Sequence, residues 1–224
     1  MTALARFCHM WAHGKIPQDM APPLCGANLT PLRKKDGGVR PIAVGEVLRR
    51  LACKALLSTA VARKEISALA PEQVGVGVSR GAESVALGFS GLLTSLGPHS
   101  RAWAALQVDV SAAFPNVGRQ FVLDEALKDA PTLFNSLKFS LSRSSPLFCG
   151  GKILHAESGV PQGCPLAPVT FGLAIQPIIR TISDKMGLIW NVWYLDDGLL
   201  VGDPDKLGMA LSYLESELLK RGLA

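Results

Sequence analysis

The stretch Asn191 to Asp203, NVWYLDDGLLVGD, sets two adjacent aspartates, Asp196 and Asp197, between aromatic, β-branched and aliphatic residues that otherwise spell buried strand. An ionised carboxylate in or near an apolar core is strongly destabilising unless it is paired, hydrogen-bonded or bound to a metal. Strand signals on both sides, with Asp-Gly at 197–198, predict a tight hairpin carrying the carboxylates at its tip. Alone, the stretch fits an ordinary solvent-facing turn equally well. Other parts of the chain have to decide between the two.

The 224 residues are 48% hydrophobic, enough for one sizeable core or for one domain divided into two lobes. Lys and Arg outnumber Asp and Glu by 23 to 18, and the net charge of +5 favours a polyanionic partner without identifying one. Cys8, Cys25, Cys53, Cys149 and Cys164 are odd in number, scattered and free of Cys-x-x-Cys spacing, the pattern of reduced thiols. Cys8, His9 and His13 lack a fourth ligand at usable spacing for a zinc site. No run approaches the roughly 18 apolar residues of a membrane span. An intracellular protein with no membrane partner is expected, with nucleus and cytoplasm undistinguished.

Several elements can be placed. Leu29 to Val44, LTPLRKKDGGVRPIAV, predicts a β-hairpin with a basic tip, and Gly45 to Lys64 predicts one amphipathic helix with Val47, Leu48, Leu51, Leu56, Leu57 and Val61 on its apolar face and Arg49 elsewhere. VGVGVSRG, residues 74–81, has the wrong spacing and the wrong preceding element for a dinucleotide loop. A helix is expected over Ala82 to Leu96, stopped by Gly97 and Pro98, then a buried strand ending at Asp109 and turning into a helix. Residues 119–143 read as mainly helical, Gly150-Gly151 as a hairpin turn, Val169 to Met186 as an apolar helix and Lys206 to Arg221 as a final amphipathic one. The order predicts an α+β fold with an antiparallel sheet.

Asp109 ends an apolar strand as abruptly as Asp196 interrupts one. A carboxylate from one strand end and one or two from a neighbouring hairpin can converge on a pair of hard cations, which take oxygen ligands and tolerate phosphate. Two such ions can activate a hydroxyl and stabilise the leaving oxygen of an in-line phosphoryl displacement. Asp109 and Asp196 are the expected direct ligands, with Asp197 a second ligand or a supporting carboxylate.

VDVSAAF, GVPQGCPLAP and YLDD stand in the order and rough spacing of the palm motifs of reverse transcriptases. RKKDGGVRPI resembles their fingers hairpin, and EQVGVGVSRGAES resembles the segment that non-LTR retrotransposon enzymes place between fingers and palm. The resemblance covers about Leu29 to Lys220. It implies a right-hand polymerase core, with an antiparallel palm sheet packed on helices, a fingers subdomain and no thumb in this chain: residues 1–100 lead-in and fingers-like, 101–224 palm, with about 120–155 partly fingers.

By the same resemblance, Asp109, Asp196 and Asp197 match the catalytic metal-binding aspartates, and the carbonyl of Val110 matches a further metal ligand. Two Mg²⁺ ions are implied, with Mn²⁺ as a substitute. Phe114 matches the aromatic that excludes a 2′-hydroxyl. Lys34, Lys35 and Arg40 match the cations that grip the triphosphate, for which ammonium groups and a forked guanidinium are chemically suited. Gln162 and Gly163 match the loop that contacts template or nucleotide.

The implied activity is RNA-directed DNA polymerisation, adding a deoxynucleoside triphosphate (dNTP) to a DNA or RNA primer on an RNA template. Two alternatives stand beside it. One is an RNA-dependent RNA polymerase, against which Phe114 argues; the other is a truncated, catalytically silent remnant that binds nucleic acid through charge. Lys220 lies on the last helix and does not occupy the lysine-bearing loop that follows in the family. Oligomeric state, host and priming mode cannot be read from these residues.

Overall fold

In the computed structural model, which describes residues 2–35, 37–97 and 103–223, three hairpins and one further strand build two separate sheets. Helix α1 (Ala3–Ala12), a 3-10 turn (Gln18–Met20) and α2 (Ala21–Cys25) lead into strands β1 (Ala27–Arg33) and β2 (Val39–Gly45). That hairpin closes at the Arg33–Val39 pair, where the Lys34 amide donates to the Gly38 carbonyl at 2.8 Å. Asp36 at the expected tip lies outside the described residues. Helices α3 (Val47–Leu57), α4 (Ala60–Ser67) and α5 (Gly81–Leu96) follow. The expected stop at Pro98 also falls outside the described residues.

Strand β3 (Ala104–Asp109) precedes α6 (Ala113–Asn116), α7 (Arg119–Asp129) and α8 (Pro131–Leu141). Strands β4 (Ser145–Cys149) and β5 (Lys152–Ala156) form a hairpin whose two turn residues, Gly150 and Gly151, both take positive φ, as the two-residue turn matching strand twist requires. Then come α9 (Ala167–Lys185), β6 (Trp190–Tyr194), β7 (Asp197–Gly202) and α10 (Pro204–Lys220). One sheet runs β2-β1-β4-β5, with β1 and β4 parallel; the other runs β3-β7-β6 and is antiparallel throughout. The architecture is a mixed α/β fold, a palm-like sheet packed on helices beside a fingers-like subdomain. No helix among the described residues is long and apolar enough to cross a membrane.

The core gathers around α9, which buries residues on every side, among them Phe171, Leu173, Ile175, Ile178, Ile179 and Ile182. The polar side chains Asn191 and Gln176 are bonded within this core. Asn191 on β6 donates to the Ile179 carbonyl and accepts from the Trp193 indole, each at 2.9 Å, and Gln176 donates to the Leu69 carbonyl at 3.0 Å.

Three expectations need correction. The single helix from Gly45 to Lys64 is two, because Ser58 and Thr59 close the first and the Thr59 side chain accepts from the Ala62 amide to cap the second. The buried face of the first is Arg49, Ala52, Cys53 and Leu56; of the expected apolar face Leu56 is buried and Leu57 packs on the core, whereas Val47, Leu48, Leu51 and Val61 are exposed. Strand β3 is not buried: Ala105, Gln107 and Asp109 are exposed on one face and the alternate residues only half-buried.

Arg119, at the start of α7, ties the layers together. Its Nε donates to the Gly159 carbonyl at 2.9 Å, Nη1 to Arg143 at 2.8 Å and Leu141 at 3.4 Å, and Nη2 to Ala156 at 2.9 Å. Arg119→Ala would leave these carbonyls unpaired and should destabilise the fold by about 3 kcal/mol. That corresponds to a Tm lower by roughly 6–12 °C for a domain of this size; calorimetry would check it, and a shift under about 2 °C would show the staple to be dispensable.

Candidate active site

The register of the second sheet sets Asp109, the last residue of β3, directly opposite Asp197, the first residue of β7. Directly opposed residues of an antiparallel pair share a face, with Cβ atoms about 5 Å apart. Tyr194 pairs with Asp197 to close the β6–β7 hairpin, so the turn is Leu195-Asp196 and not Asp197-Gly198. The turn therefore lies two residues before the expected Asp-Gly tip. Gly198 is instead a strand residue, kept small because a Cβ there would meet the Trp193 ring at 2.8 Å. Leu195 supplies the positive φ that the turn needs, at +57°. The Val110 amide donates to the Asp196 carbonyl at 3.2 Å, which fastens the end of β3 to the same turn.

Phe114 sits in α6, one turn beyond Asp109, half-buried with its ring 5.3 Å from Phe171. The Val160 amide donates to the Phe114 carbonyl at 2.7 Å, bringing the Pro161-Gln162-Gly163 loop alongside. That loop is joined to the first sheet, since the Ala43 amide donates to the Gln162 carbonyl at 2.7 Å. A Cβ on Gly163, whose φ is +112°, would meet the Ala43 carbonyl oxygen at 2.8 Å. Close approach to β2 is thus a constraint on Gly163 in its own right. The Gln162 Oε1 is buried without a hydrogen-bond partner.

A family model described as reverse transcriptase (RNA-dependent DNA polymerase) matches residues 32–224. The chain belongs to the reverse transcriptase family. Two solved structures of similar fold are the apo telomerase of Candida tropicalis truncated from its C-terminal domain and the telomerase of Candida albicans in complex with a fragment of telomeric RNA. The first has a TM-score of 0.64 at 13% identity and is matched over 90% of this chain and 48% of its own. The second has 0.65 at 12%, over 98% of this chain and 43% of its own. The chain thus spans less than half of either telomerase chain, and at these identities the likeness is one of fold. No curated protein matches it.

The three aspartates singled out in the sequence are brought to one end of the palm-like sheet. Asp109 and Asp197 are exposed and Asp196 half-buried. Yet among the described residues no group of three or more His, Cys, Asp or Glu side chains stands close enough to hold a metal ion. The donor chemistry suits a hard divalent cation; the side chains are not gathered around one. Burial first, then the like charges of Asp197 and Asp109, push the Asp196 carboxyl above its ordinary range. Its own backbone amide and the Arg40 charge pull the other way, which brings Arg40 into the field of the carboxylates. Lys34, Lys35 and Arg40 are exposed on the β1–β2 hairpin.

The sequence reading missed Gln73. This fully buried side chain accepts through Oε1 from the Leu195 amide at 2.8 Å and the Gly75 amide at 3.0 Å, and donates through Nε2 to the Leu195 carbonyl at 3.2 Å. On either side, the Trp193 amide donates to the Glu72 carbonyl at 2.6 Å and the Val74 amide to the Trp193 carbonyl at 2.8 Å. Gly75 permits the approach, because a Cβ there would lie 2.6 Å from the Leu195 nitrogen. The glycines of EQVGVG were the available signal; that they face a turn some 120 residues away could not be read from them.

Because the folded carboxyl of Asp196 titrates above its ordinary 3.8, its ionisation opposes folding. That destabilisation is absent below 3.8, grows as pH rises through the raised value and is complete above it. Asp196→Asn should therefore raise Tm modestly at neutral pH, with the gain vanishing in acid. A gain equal at both pH values would show that repulsion and burial at Asp196 are not its source.

Proposed function

We propose that this chain is a template-binding palm-and-fingers unit of a reverse transcriptase, whose three carboxylates come together around metal only when template, primer and nucleotide are engaged. By itself it binds nucleic acid without extending a primer. The observation that carries this reading is the absence of a gathered three-carboxylate cluster among the described residues, at a site that feels the charge of Arg40 on the exposed basic hairpin. A net charge of +5 supports salt-sensitive attraction to a phosphate backbone. Further support comes from Arg63 and Lys64, which line a groove of about 690 Å³ with Gly77, Pro165 and Pro168.

A second reading, RNA-directed DNA polymerase in this chain alone, is favoured by the register of Asp109 with Asp197. On that reading Asp109, Asp196, Asp197 and the Val110 carbonyl would hold two Mg²⁺ ions, or Mn²⁺ in their place. The ions, when bound, would activate the primer hydroxyl and stabilise the leaving oxygen. Lys34, Lys35 and Arg40 would neutralise the triphosphate, Gln162 and Gly163 would border the nascent pair, and Phe114 would exclude a 2′-hydroxyl. A retrotransposon origin belongs to the same proposal, supported by the motif order and by the segment at 72–84.

Fluorescence anisotropy with an RNA template, paired with Mg²⁺-dependent extension of an annealed DNA primer, separates the readings. The expected result is RNA affinity falling at least roughly tenfold between about 50 and 200 mM salt, with no extension that depends on Asp196. Extension by the wild-type chain that disappears in Asp196→Asn would overturn the first reading in favour of the second. In that event Phe114→Val should admit ribonucleotides, and unchanged sugar selectivity would remove Phe114 from the nucleotide site.

A further inference from the structure

The turn that bears Asp196 is an unfavourable one for its sequence. A leucine with φ of +57° occupies the left-handed region, where a Cβ crowds the following carbonyl. Such conformations persist only where the surroundings over-determine them. Here Gln73 grips both backbone polar groups of Leu195, whose side chain packs against the core. The orientation of its amide is unambiguous: Leu195 and Gly75 both present N–H groups, so the oxygen must face them, and the nitrogen then meets the Leu195 carbonyl. Gln73 is 0% exposed, so water cannot readily replace it. The flanking bonds from Glu72 and Val74 to Trp193 fix the depth at which the amide enters.

We propose that Gln73 is a positioning residue for the carboxylate turn, holding Leu195 left-handed and thereby setting how Asp196 and Asp197 are aimed relative to Asp109. The part of this that concerns metal rests on the reading of the aspartates as metal ligands; the part that concerns the turn does not. Gln73 touches neither nucleotide nor ion in this account. It acts through the Leu195 backbone, and the bond from Val110 to the Asp196 carbonyl carries the same setting to the end of β3.

The test uses the full chain with Gln73→Met, which keeps length and burial but removes the hydrogen bonds, and Gln73→Glu, which keeps the acceptors and loses the donor. Amide hydrogen exchange by NMR reads the turn directly. The Leu195 amide should exchange at least roughly tenfold faster in Gln73→Met while amides of α9 stay protected, with Gln73→Glu intermediate. Unchanged exchange at Leu195 would overturn the proposal, and equal acceleration throughout would reduce Gln73 to a general stability residue and overturn it too.

Mn²⁺ titration followed by electron paramagnetic resonance, with template, primer and nucleotide present, reads the metal. Affinity should fall roughly tenfold in Gln73→Met, the scale for losing a residue that orients a ligand. Leu195→Gly added to Gln73→Met should recover part of it, because glycine adopts positive φ without strain. Wild-type and Asp196→Asn proteins that bind Mn²⁺ alike would defeat the metal reading, and the exchange result would still decide the role of Gln73.

Discussion

Helix α9 has almost no surface that could be left to water, and the rest of the molecule is arranged to cover it. A helix apolar on all sides has to be enclosed, and α6, α7, α10 and β6 supply the enclosure. This fixes the height of the three-stranded sheet over the helix and, with it, the position of the hairpin end where Asp196 and Asp197 stand. The polar groups admitted to this region, Asn191, Gln176 and Arg221, are each bonded to a backbone carbonyl on α9 or beside it. Burial there therefore leaves few debts of desolvation, though the Gln176 Oε1 has no partner.

The two sheets are joined by backbone at a point close to the candidate site. The Ala43 to Gln162 bond links the base of the fingers-like hairpin to the loop that precedes α9, and Gly163 allows the two to touch. Arg119 performs a similar service farther back by donating to four carbonyls in two separate stretches, 141–143 and 156–159. Between these ties, the basic hairpin extends with Lys34, Lys35 and Arg40 exposed. The charge of Arg40 reaches Asp196, so a cation and the carboxylates act in one field, an arrangement that favours a ligand carrying both metal and phosphate.

Much of this was legible. The hairpin at Gly150-Gly151, the long helix before the carboxylate hairpin and the last amphipathic helix all follow from turn chemistry and periodicity, which act over a few residues. The helix after Gly45 was legible as a helix and illegible as to its face. The first part of its apolar stripe, Val47, Leu48 and Leu51, is exposed, while Leu56 is buried with the smaller Ala52 and Cys53 beside Arg49. Small residues fit where the backbone of α1 packs closely, and hydrophobicity alone does not report that spacing.

The sequence by itself determined that two carboxylates would stand at a hairpin end and a third at the end of another strand, because charges at the borders of apolar runs can occupy only such places. Tertiary structure decided the rest. Pairing set Asp109 opposite Asp197, moved the turn from Asp-Gly to Leu-Asp and drew Gln73 from a distant segment to hold it. The physical reason is reach: propensity and turn preference are local energies, whereas register and the burial of a hydrogen-bonding side chain depend on contacts between residues far apart in the chain, which no local pattern encodes.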